Sequence, residues 1–153
     1  MTDKPLRVAF VCVQNAGRSQ MAAAYAERER ERRGLNDRLE IETGGTDPAE
    51  AIHPIVSEAM TEAGFDLSHR QPREIGPDTL ANCDVVVTMG CSAGGICPAT
   101  WRGDARDWDL DDPHGQTLSE VHRIRETIEL RVTDLIEDLF EGESVAAEGE
   151  QHQ

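Results

Sequence analysis

A short apolar run that ends in a cysteine is the feature that most limits the fold of this chain. Residues 6–11 read LRVAFV, the composition of a buried strand, and Cys12 follows directly. The start of a helix is expected near Gly17, so the chain passes from strand to helix within a few residues. This order is typical of α/β domains with a parallel sheet, whose connections are right-handed crossovers.

The loop after this strand carries a thiol and a guanidinium six residues apart, on Cys12 and Arg18. Its backbone N–H groups are expected to surround a tetrahedral oxyanion at the positive end of the helix; the predicted binding residues are Val13, Gln14, Asn15, Ala16, Gly17, Arg18 and Ser19. Such positive groups favour a thiolate, which makes Cys12 the predicted nucleophile. Arg18 can bind two oxygens of the anion, and the Ser19 hydroxyl can hydrogen-bond the sulfur. Asn15 and Gly17 are expected to supply unusual backbone angles.

A cysteine and an arginine at this spacing are ambiguous by themselves. An isolated pair more often consists of a buried apolar thiol and a solvated helix residue. The preceding strand, the asparagine and glycine within the loop, and the Arg-Ser pair at the helix start together favour an oxyanion site. A nucleotide-binding P-loop is excluded, because the segment lacks the G-x-x-x-x-G-K-[ST] pattern and contains no lysine.

Strand-like and helix-like segments alternate along the chain. Further strands are predicted at residues 39–43, ending in a Gly-Gly turn, at residues 84–89, and around Leu110. Helices are predicted at residues 17–34, with an exposed charged run at 27–33, at 54–63, and over a long amphipathic segment at 121–139. The alternation predicts a parallel sheet covered on both faces, with ligands bound at the carboxyl ends of its strands.

The chain is strongly acidic: 30 Asp and Glu residues against 15 Lys and Arg give a formal net charge of −15, and Lys4 is the only lysine. This charge argues against nucleic-acid or anionic-membrane binding over a broad surface, and it favours a halophilic source over an ordinary acidic protein. No signal peptide or membrane span is evident, so we expect a cytoplasmic location in which cysteines stay reduced. We expect one domain over residues 1–141 and an acidic disordered tail over residues 142–153.

The loop from Cys12 to Ser19 resembles the signature of the low-molecular-weight tyrosine phosphatase superfamily, which includes thiol-dependent arsenate reductases. Shorter similarities follow in the same order between residues 6 and 140: GGTDP at 44–48, HP at 53–54, GFDLS at 64–68, DVVVTMGC at 84–91 and WDLDDP at 108–113. The resemblance implies a three-layer α/β fold with a four-stranded parallel sheet in the order 2-1-3-4 and helices on both faces.

A second cysteine pair separates two enzyme classes within this superfamily. Cys91 follows the third predicted strand, at the same sheet edge as Cys12, and Cys97 comes six residues later. The resemblance to thioredoxin-coupled arsenate reductases implies that Cys12 attacks arsenate, that Cys91 then forms a disulfide with Cys12, and that Cys97 takes over this disulfide. Zinc binding and two inert thiols stay open as alternatives, although C-x5-C is wider than the usual zinc spacing. Cys83 is interpreted as a packed structural residue, and no metal or cofactor is predicted.

Asp112, before Pro113, matches the position of the general acid in phosphatase relatives, and Asp111 is its competitor. Phosphatases of this superfamily commonly have aromatic residues after this pair, where the present chain has a histidine and a glycine. That difference weakens the phosphotyrosine interpretation. All five histidines are interpreted as structural or surface residues: His53, His69, His114, His122 and His152.

The resemblance leads to the hypothesis of a cytoplasmic arsenate reductase that uses Cys12, Arg18, Cys91, Cys97 and Asp112. Its expected partners are arsenate or a phosphate-like oxyanion and, as reductant, thioredoxin or a low-molecular-weight thiol. The alternative is a low-molecular-weight tyrosine phosphatase that hydrolyses phosphate monoesters through a Cys12 phosphocysteine. A non-catalytic oxyanion-binding or redox-sensing module is a third hypothesis.

Overall fold

The fold is described from a computed structural model, which covers residues 4–90, residue 97 and residues 101–140. Eight elements follow one another: β1 (Leu6–Cys12), α1 (Arg18–Arg32), β2 (Leu39–Gly45), α2 (Pro54–Glu62), α3 (Pro77–Ala81), β3 (Val85–Met89), β4 (Asp104–Asp107) and α4 (Leu118–Leu139). The predicted tail at 142–153 lies outside the described residues.

The four strands form one parallel sheet in the order β2-β1-β3-β4, which confirms the predicted order. At the carboxyl end of the central strand β1, Cys12 pairs with Gly45 of β2 and with Met89 of β3. The strand ends therefore meet at one edge of the sheet, and the Cys12 thiol belongs to that edge.

Both faces of the sheet are covered, as the alternation along β1 requires. Val8 and Phe10 belong to a large core shared with α1, α2 and α4, whereas Ala9 and Val11 pack with a smaller cluster that includes Leu80 of α3. The predicted amphipathic helix is confirmed as α4, whose buried stripe is Val121, Ile124, Ile128, Val132, Leu135 and Ile136. Each such aliphatic side chain stabilises the fold by about 1.5–3 kcal/mol when fully buried.

Two strand predictions were wrong in detail. The fourth strand is Asp104–Asp107, not the segment around Leu110; its polar, mostly exposed residues have no apolar alternation, and backbone pairing to β3 defines it. The glycine pair at 44–45 does not form a turn but completes β2, because both glycines lie where the chain packs too closely for a Cβ atom. The short helix α3 was not predicted.

The charged run at 27–33 was predicted to be exposed, but part of it is buried. The Glu29 side chain is 9% exposed and lies within 4 Å of three guanidinium groups, those of Arg28, Arg32 and Arg33. Arg28 also pairs with Glu129 of α4 at 2.7 Å and covers the Tyr25 ring. This part of α1 therefore packs through its charges against α4, which carries charges of its own on the facing side.

Among the described residues, no helix is both long enough and apolar enough to cross a membrane.

Candidate active site

The Cys12 thiol lies at the base of the loop that joins β1 to α1, here called the Cys12 loop (residues 12–18). Cys12 is 3% exposed. Its Sγ atom accepts a hydrogen bond from the backbone N–H of Asn15 at 3.2 Å and lies 2.8 Å from the Oγ atom of Ser19. A backbone amide and a hydroxyl therefore approach the same sulfur, and both groups can donate a hydrogen bond to it.

The carbonyl groups of the Cys12 loop point away from the thiol, into the protein. Four of them accept backbone hydrogen bonds of 2.8–3.2 Å from the segment after β2: Cys12 from Thr46, Val13 from Asp47, Gln14 from Ala49 and Ala16 from His53. In a trans peptide the carbonyl and the next N–H point in opposite directions, and the described chain contains no cis peptide. The N–H group that follows each of these carbonyls therefore points toward the thiol side of the loop. The Asn15 N–H, which donates to the Cys12 sulfur, is an example.

Asn15 holds the loop in its curled form. It has a positive φ of 54°, as predicted, and it is fully buried. Its side-chain amide donates to Ser19 Oγ at 2.7 Å and to Thr43 Oγ1 at 3.0 Å, while its Oδ1 atom accepts from the Arg73 N–H at 3.0 Å. Because the Ser19 oxygen accepts from Asn15, the Ser19 hydroxyl hydrogen is free to be donated to the Cys12 sulfur.

Gly17 is required for its backbone angles and also for its lack of a side chain. Its φ of −145° and ψ of −93° are neither helical nor extended, so the backbone angles are unusual, as predicted, although φ is not in the left-handed region. A Cβ atom at this position would lie 2.8 Å from Cγ of Pro113 and 3.6 Å from Cδ2 of His53. The missing side chain therefore lets the segment that contains Asp112 and Pro113 approach the Cys12 loop.

Arg18 lies across the opening of the loop. Its Nη1 atom donates to the Leu110 carbonyl at 2.9 Å, and its Nη2 atom is 3.9 Å from Oδ2 of Asp112. The guanidinium also packs on Gly90, where a Cβ atom would lie 3.0 Å from Nη2. With 11% of its side chain exposed, the guanidinium is fixed on one side and keeps donors for a bound anion.

These groups surround a cavity of about 350 Å³ whose lining residues come from four segments: Cys12, Val13, Gln14, Ala16, Gly17, Arg18, His53, Gly90, Asp112 and His114. Two predicted loop residues, Asn15 and Ser19, lie behind the loop and do not line the cavity. Asp112 lines it, whereas Asp111 faces a separate surface depression beside Glu120 and Arg123. Asp112, and not its competitor, therefore lines the cavity that Cys12 also lines.

The structure does not bring Cys97 to this cavity. Cys97 is half-buried and packs against the smaller core cluster, which also contains Cys83, and burial raises its pKa. Cys91 lies outside the described residues, although it follows Gly90, a lining residue, in the sequence. Cys83 is 4% exposed and its pKa is raised to about 11, first by burial and next by Glu42. The interpretation of Cys83 as a packed residue is confirmed.

Two residues that line the cavity were not predicted. The rings of His53 and His114 stack on each other with their centroids 4.6 Å apart and an angle of 22° between their planes. Burial and the neighbouring His114 lower the pKa of His53, and Asp112 opposes them. The sequence offered a signal for each: His53 belongs to the HP similarity at 53–54, and His114 directly follows the predicted acid and its proline. Among the described residues, no group of three or more His, Cys, Asp or Glu side chains is placed to hold a metal ion.

Comparison with known proteins places this geometry in a family. The family model for low molecular weight phosphotyrosine protein phosphatases matches residues 7–147. A Halobacterium salinarum protein with a provisional arsenate reductase name is 56% identical over 89% of this chain and 94% of its own.

Two solved structures are also similar. The chain is 31% identical to a thioredoxin-dependent arsenate reductase of Corynebacterium glutamicum, with a TM-score of 0.71, covering 90% of this chain and 63% of the other. A structure described as an arsenate reductase in the phosphate binding state is 29% identical, with a TM-score of 0.71, over 87% of this chain and 98% of the other. The chain belongs to the low molecular weight phosphotyrosine protein phosphatase family.

Proposed function

We propose that this protein is an arsenate reductase, which converts arsenate to arsenite by thiol chemistry that begins at Cys12. The observation that carries the proposal is the 56% identity, over nearly all of both chains, to the Halobacterium salinarum protein with an arsenate reductase name. The arrangement of the Cys12 loop supports it, because a buried thiol, inward-facing amides and a fixed guanidinium suit a tetrahedral oxyanion.

In the first step the loop amides and Arg18 bind the oxygens of arsenate, and the Cys12 thiolate attacks arsenic. An S–As bond forms and an oxygen leaves as water, with Asp112 as the proposed proton donor. Ser19 supports this step, since its hydroxyl lies 2.8 Å from the sulfur and can stabilise the thiolate before the attack.

In the second step Cys91 attacks the Cys12 sulfur. The electron pair of the S–As bond passes to arsenic, so As(V) becomes As(III), arsenite leaves, and a Cys12–Cys91 disulfide remains. Gly90, which lines the cavity and carries Cys91 as its next residue, supports this assignment.

In the third step Cys97 attacks Cys91, releases the Cys12 thiolate and moves the disulfide to Cys91–Cys97. Cys97 packs against the smaller core cluster, away from the Cys12 cavity. This position supports a path in which oxidising equivalents leave the cavity, because an external thiol cannot easily reach the sulfur of Cys12, a residue that is only 3% exposed.

The reductant that closes the cycle is a dithiol protein of the thioredoxin type or a low-molecular-weight thiol. The description of the Corynebacterium relative as thioredoxin-dependent supports the first choice. A cytoplasmic location is part of the same proposal, since the cycle needs thiols kept reduced.

Hydrolysis of phosphate monoesters is the second candidate function. The family match over residues 7–147 favours it, and so does the presence of Cys12, Arg18 and Asp112 around one cavity. Such hydrolysis needs only these three groups and water, so it does not depend on Cys91 or Cys97.

The test compares arsenite production and para-nitrophenyl phosphate hydrolysis in the same enzyme preparations, in high salt, with a thioredoxin system or a dithiol. We expect Cys12→Ser to abolish both reactions. Cys91→Ser abolishes arsenite production only. Cys97→Ser allows a single burst of arsenite, equal to the enzyme present, and then stops because the Cys12–Cys91 disulfide is not passed on.

The matched control is Cys83→Ser, which changes a thiol that the proposed cascade does not use and leaves arsenite production in place. The proposal fails if Cys91→Ser still turns over arsenate repeatedly. It also fails if the wild-type protein hydrolyses the phosphate ester but makes no arsenite with either reductant; the protein is then a phosphatase.

A further inference from the structure

The stacked imidazoles of His53 and His114 form one wall of the Cys12 cavity. His53 comes from the start of α2 and His114 from the segment after Pro113, so the wall joins two distant parts of the chain. Neither ring makes a hydrogen bond or ion pair with another side chain among the described residues, although both line the cavity. Ring nitrogens in a polar cavity, without a protein partner, are available to a ligand.

We propose that His53 and His114 are specificity-determining residues, which bind the outward-facing oxygen of an inorganic oxyanion and disfavour monoesters that carry a substituent on that oxygen. The proposal rests on the proposed function, because it concerns the anion held above Cys12. A tetrahedral anion bound by the loop and Arg18 directs its remaining oxygen away from the sulfur, toward the mouth of the cavity. The two imidazoles line the same cavity.

The backbone of His53 is fixed by the Cys12 loop. The His53 N–H donates to the Ala16 carbonyl at 3.1 Å, and its own carbonyl accepts from Val56 at 2.9 Å. The Cδ2 atom of its ring lies 3.6 Å from the Cβ position of Gly17, so the adjacent Nε2 atom belongs to the same ring edge.

His114 is held by its neighbours in the sequence. Its N–H donates to Oδ1 of Asp112 at 3.0 Å, and the buried Pro113 between them packs against Gly17. A substituent on the outward oxygen would therefore collide with two stacked rings whose backbones are held in place. This steric cost applies to esters, which carry the substituent, and not to arsenate or phosphate.

Burial is the main reason why the His53 ring suits a hydrogen-bonding role in its neutral form. The guanidinium of Arg18 and the carboxyl group of Asp112 line the same cavity. Burial and His114 together lower the pKa of His53, which favours its neutral form at neutral pH. A neutral imidazole still offers one N–H donor to an anion without the desolvation cost of a buried cation.

The experiment measures three constants in the full-length protein: KM for arsenate reduction, the inhibition constant of inorganic phosphate against para-nitrophenyl phosphate hydrolysis, and kcat/KM for that hydrolysis. The variants are His114→Ala, His53→Asn, which keeps a donor and suits a helix N-cap, and the double variant. His69→Ala, an exposed histidine outside the cavity, is the matched control. Circular dichroism checks that each variant is folded.

For His114→Ala we expect the arsenate KM and the phosphate inhibition constant to rise about three- to tenfold, the size of one lost hydrogen bond. The kcat/KM for the ester rises by a similar factor, and kcat for arsenate changes little. His53→Asn raises the anion constants less than His114→Ala does, while the double variant gives the largest change in selectivity.

The proposal is overturned if ester and anion constants move in the same direction by the same factor, as a general distortion of the cavity would cause. It is also overturned if none of them moves. If the wild-type protein makes no arsenite but the phosphate and ester constants still move in opposite directions, the proposed function fails. The role proposed for His53 and His114 is then still supported. If the histidine variants overturn this proposal while arsenite production is intact, the proposed function is unaffected.

Discussion

At the scale of single residues, Cys83 shows how burial sets the behaviour of a thiol. Burial is the largest of the effects that raise its pKa from the ordinary value of 9.0, which an unfolded chain gives, to about 11. Between these values the unfolded protein loses the thiol proton and the folded protein keeps it. The folded state then binds more protons, so stability must fall as pH rises through this range.

We therefore expect the free energy of unfolding to decrease between pH 8 and pH 11 by up to about 3 kcal/mol more in the wild type than in Cys83→Ala. Urea unfolding followed by circular dichroism, under reducing conditions and at several pH values, measures this difference. The other titrating groups are common to both proteins, so their contributions to the free energy of unfolding cancel in the difference. Parallel stability curves for the two proteins would contradict the assignment of a buried, neutral thiol.

Some residues of the candidate site could be recognised from one short stretch of sequence, whereas others could not. Cys12, Arg18 and Ser19 belong to one continuous motif, so a pattern in the sequence was enough to bring them together. His53 and His114 are far apart in the sequence and meet only because Pro113 can approach Gly17. No rule of sequence spacing predicts a contact between residues so far apart. Both histidines were therefore interpreted as structural or surface residues.

At the scale of secondary-structure elements, the carboxyl end of β2 is the support on which the Cys12 loop rests. A Cβ atom on Gly45 would lie 2.4 Å from the Val13 carbonyl oxygen and 3.0 Å from the Asn15 nitrogen. Both atoms belong to the backbone of the loop, so neither can move aside as a flexible side chain would. Any side chain at Gly45 must therefore push β2 and the loop apart.

For Gly45→Ala we expect the free energy of unfolding to fall by about 1–3 kcal/mol, the usual cost of overpacking. We also expect arsenate reduction and ester hydrolysis to fall at least about tenfold, because small displacements of binding groups are costly in catalysis. Gly76→Ala is the matched control: Gly76 has a φ of −108° and no heavy atom within 4 Å of its Cβ position. Equal effects of the two substitutions on activity would refute the role given to Gly45.

The elements themselves were predictable where apolar periodicity is strong. β1, β3 and α4 bury continuous or regularly spaced apolar residues, and their predictions were confirmed to within a few residues. β4 reads Asp-Ala-Arg-Asp and is mostly exposed, so its only determinant is backbone pairing with β3. The extension of β2 through two glycines depends in the same way on tertiary contacts that the sequence does not display.

At the scale of the whole molecule, the dominant property is the excess of negative charge. Even if each of the 15 basic residues paired with one acid, 15 of the 30 acidic residues would have no basic partner. Exposed pairs such as Arg106–Asp138, at 2.7 Å, contribute only about 0–1 kcal/mol each, and salt weakens them. The repulsion among unpaired carboxylates extends over the whole surface, so its screening should outweigh the loss of these local pairs.

We expect the thermal midpoint of unfolding to rise by at least about 5 °C when KCl is increased from about 0.1 M to about 2 M, the shift that a gain of about 2 kcal/mol gives a domain of this size. The Debye length falls from about 10 Å at 0.1 M to about 3 Å at 1 M, so most of the gain should come below 1 M. Differential scanning calorimetry over a KCl series measures it, with sucrose as an uncharged control for general exclusion effects. A flat or falling midpoint would contradict the prediction, and an equal rise in sucrose would mean that charge screening is not the cause. A rise confined to salt, and saturating near 1 M, is the outcome that surface repulsion among carboxylates requires.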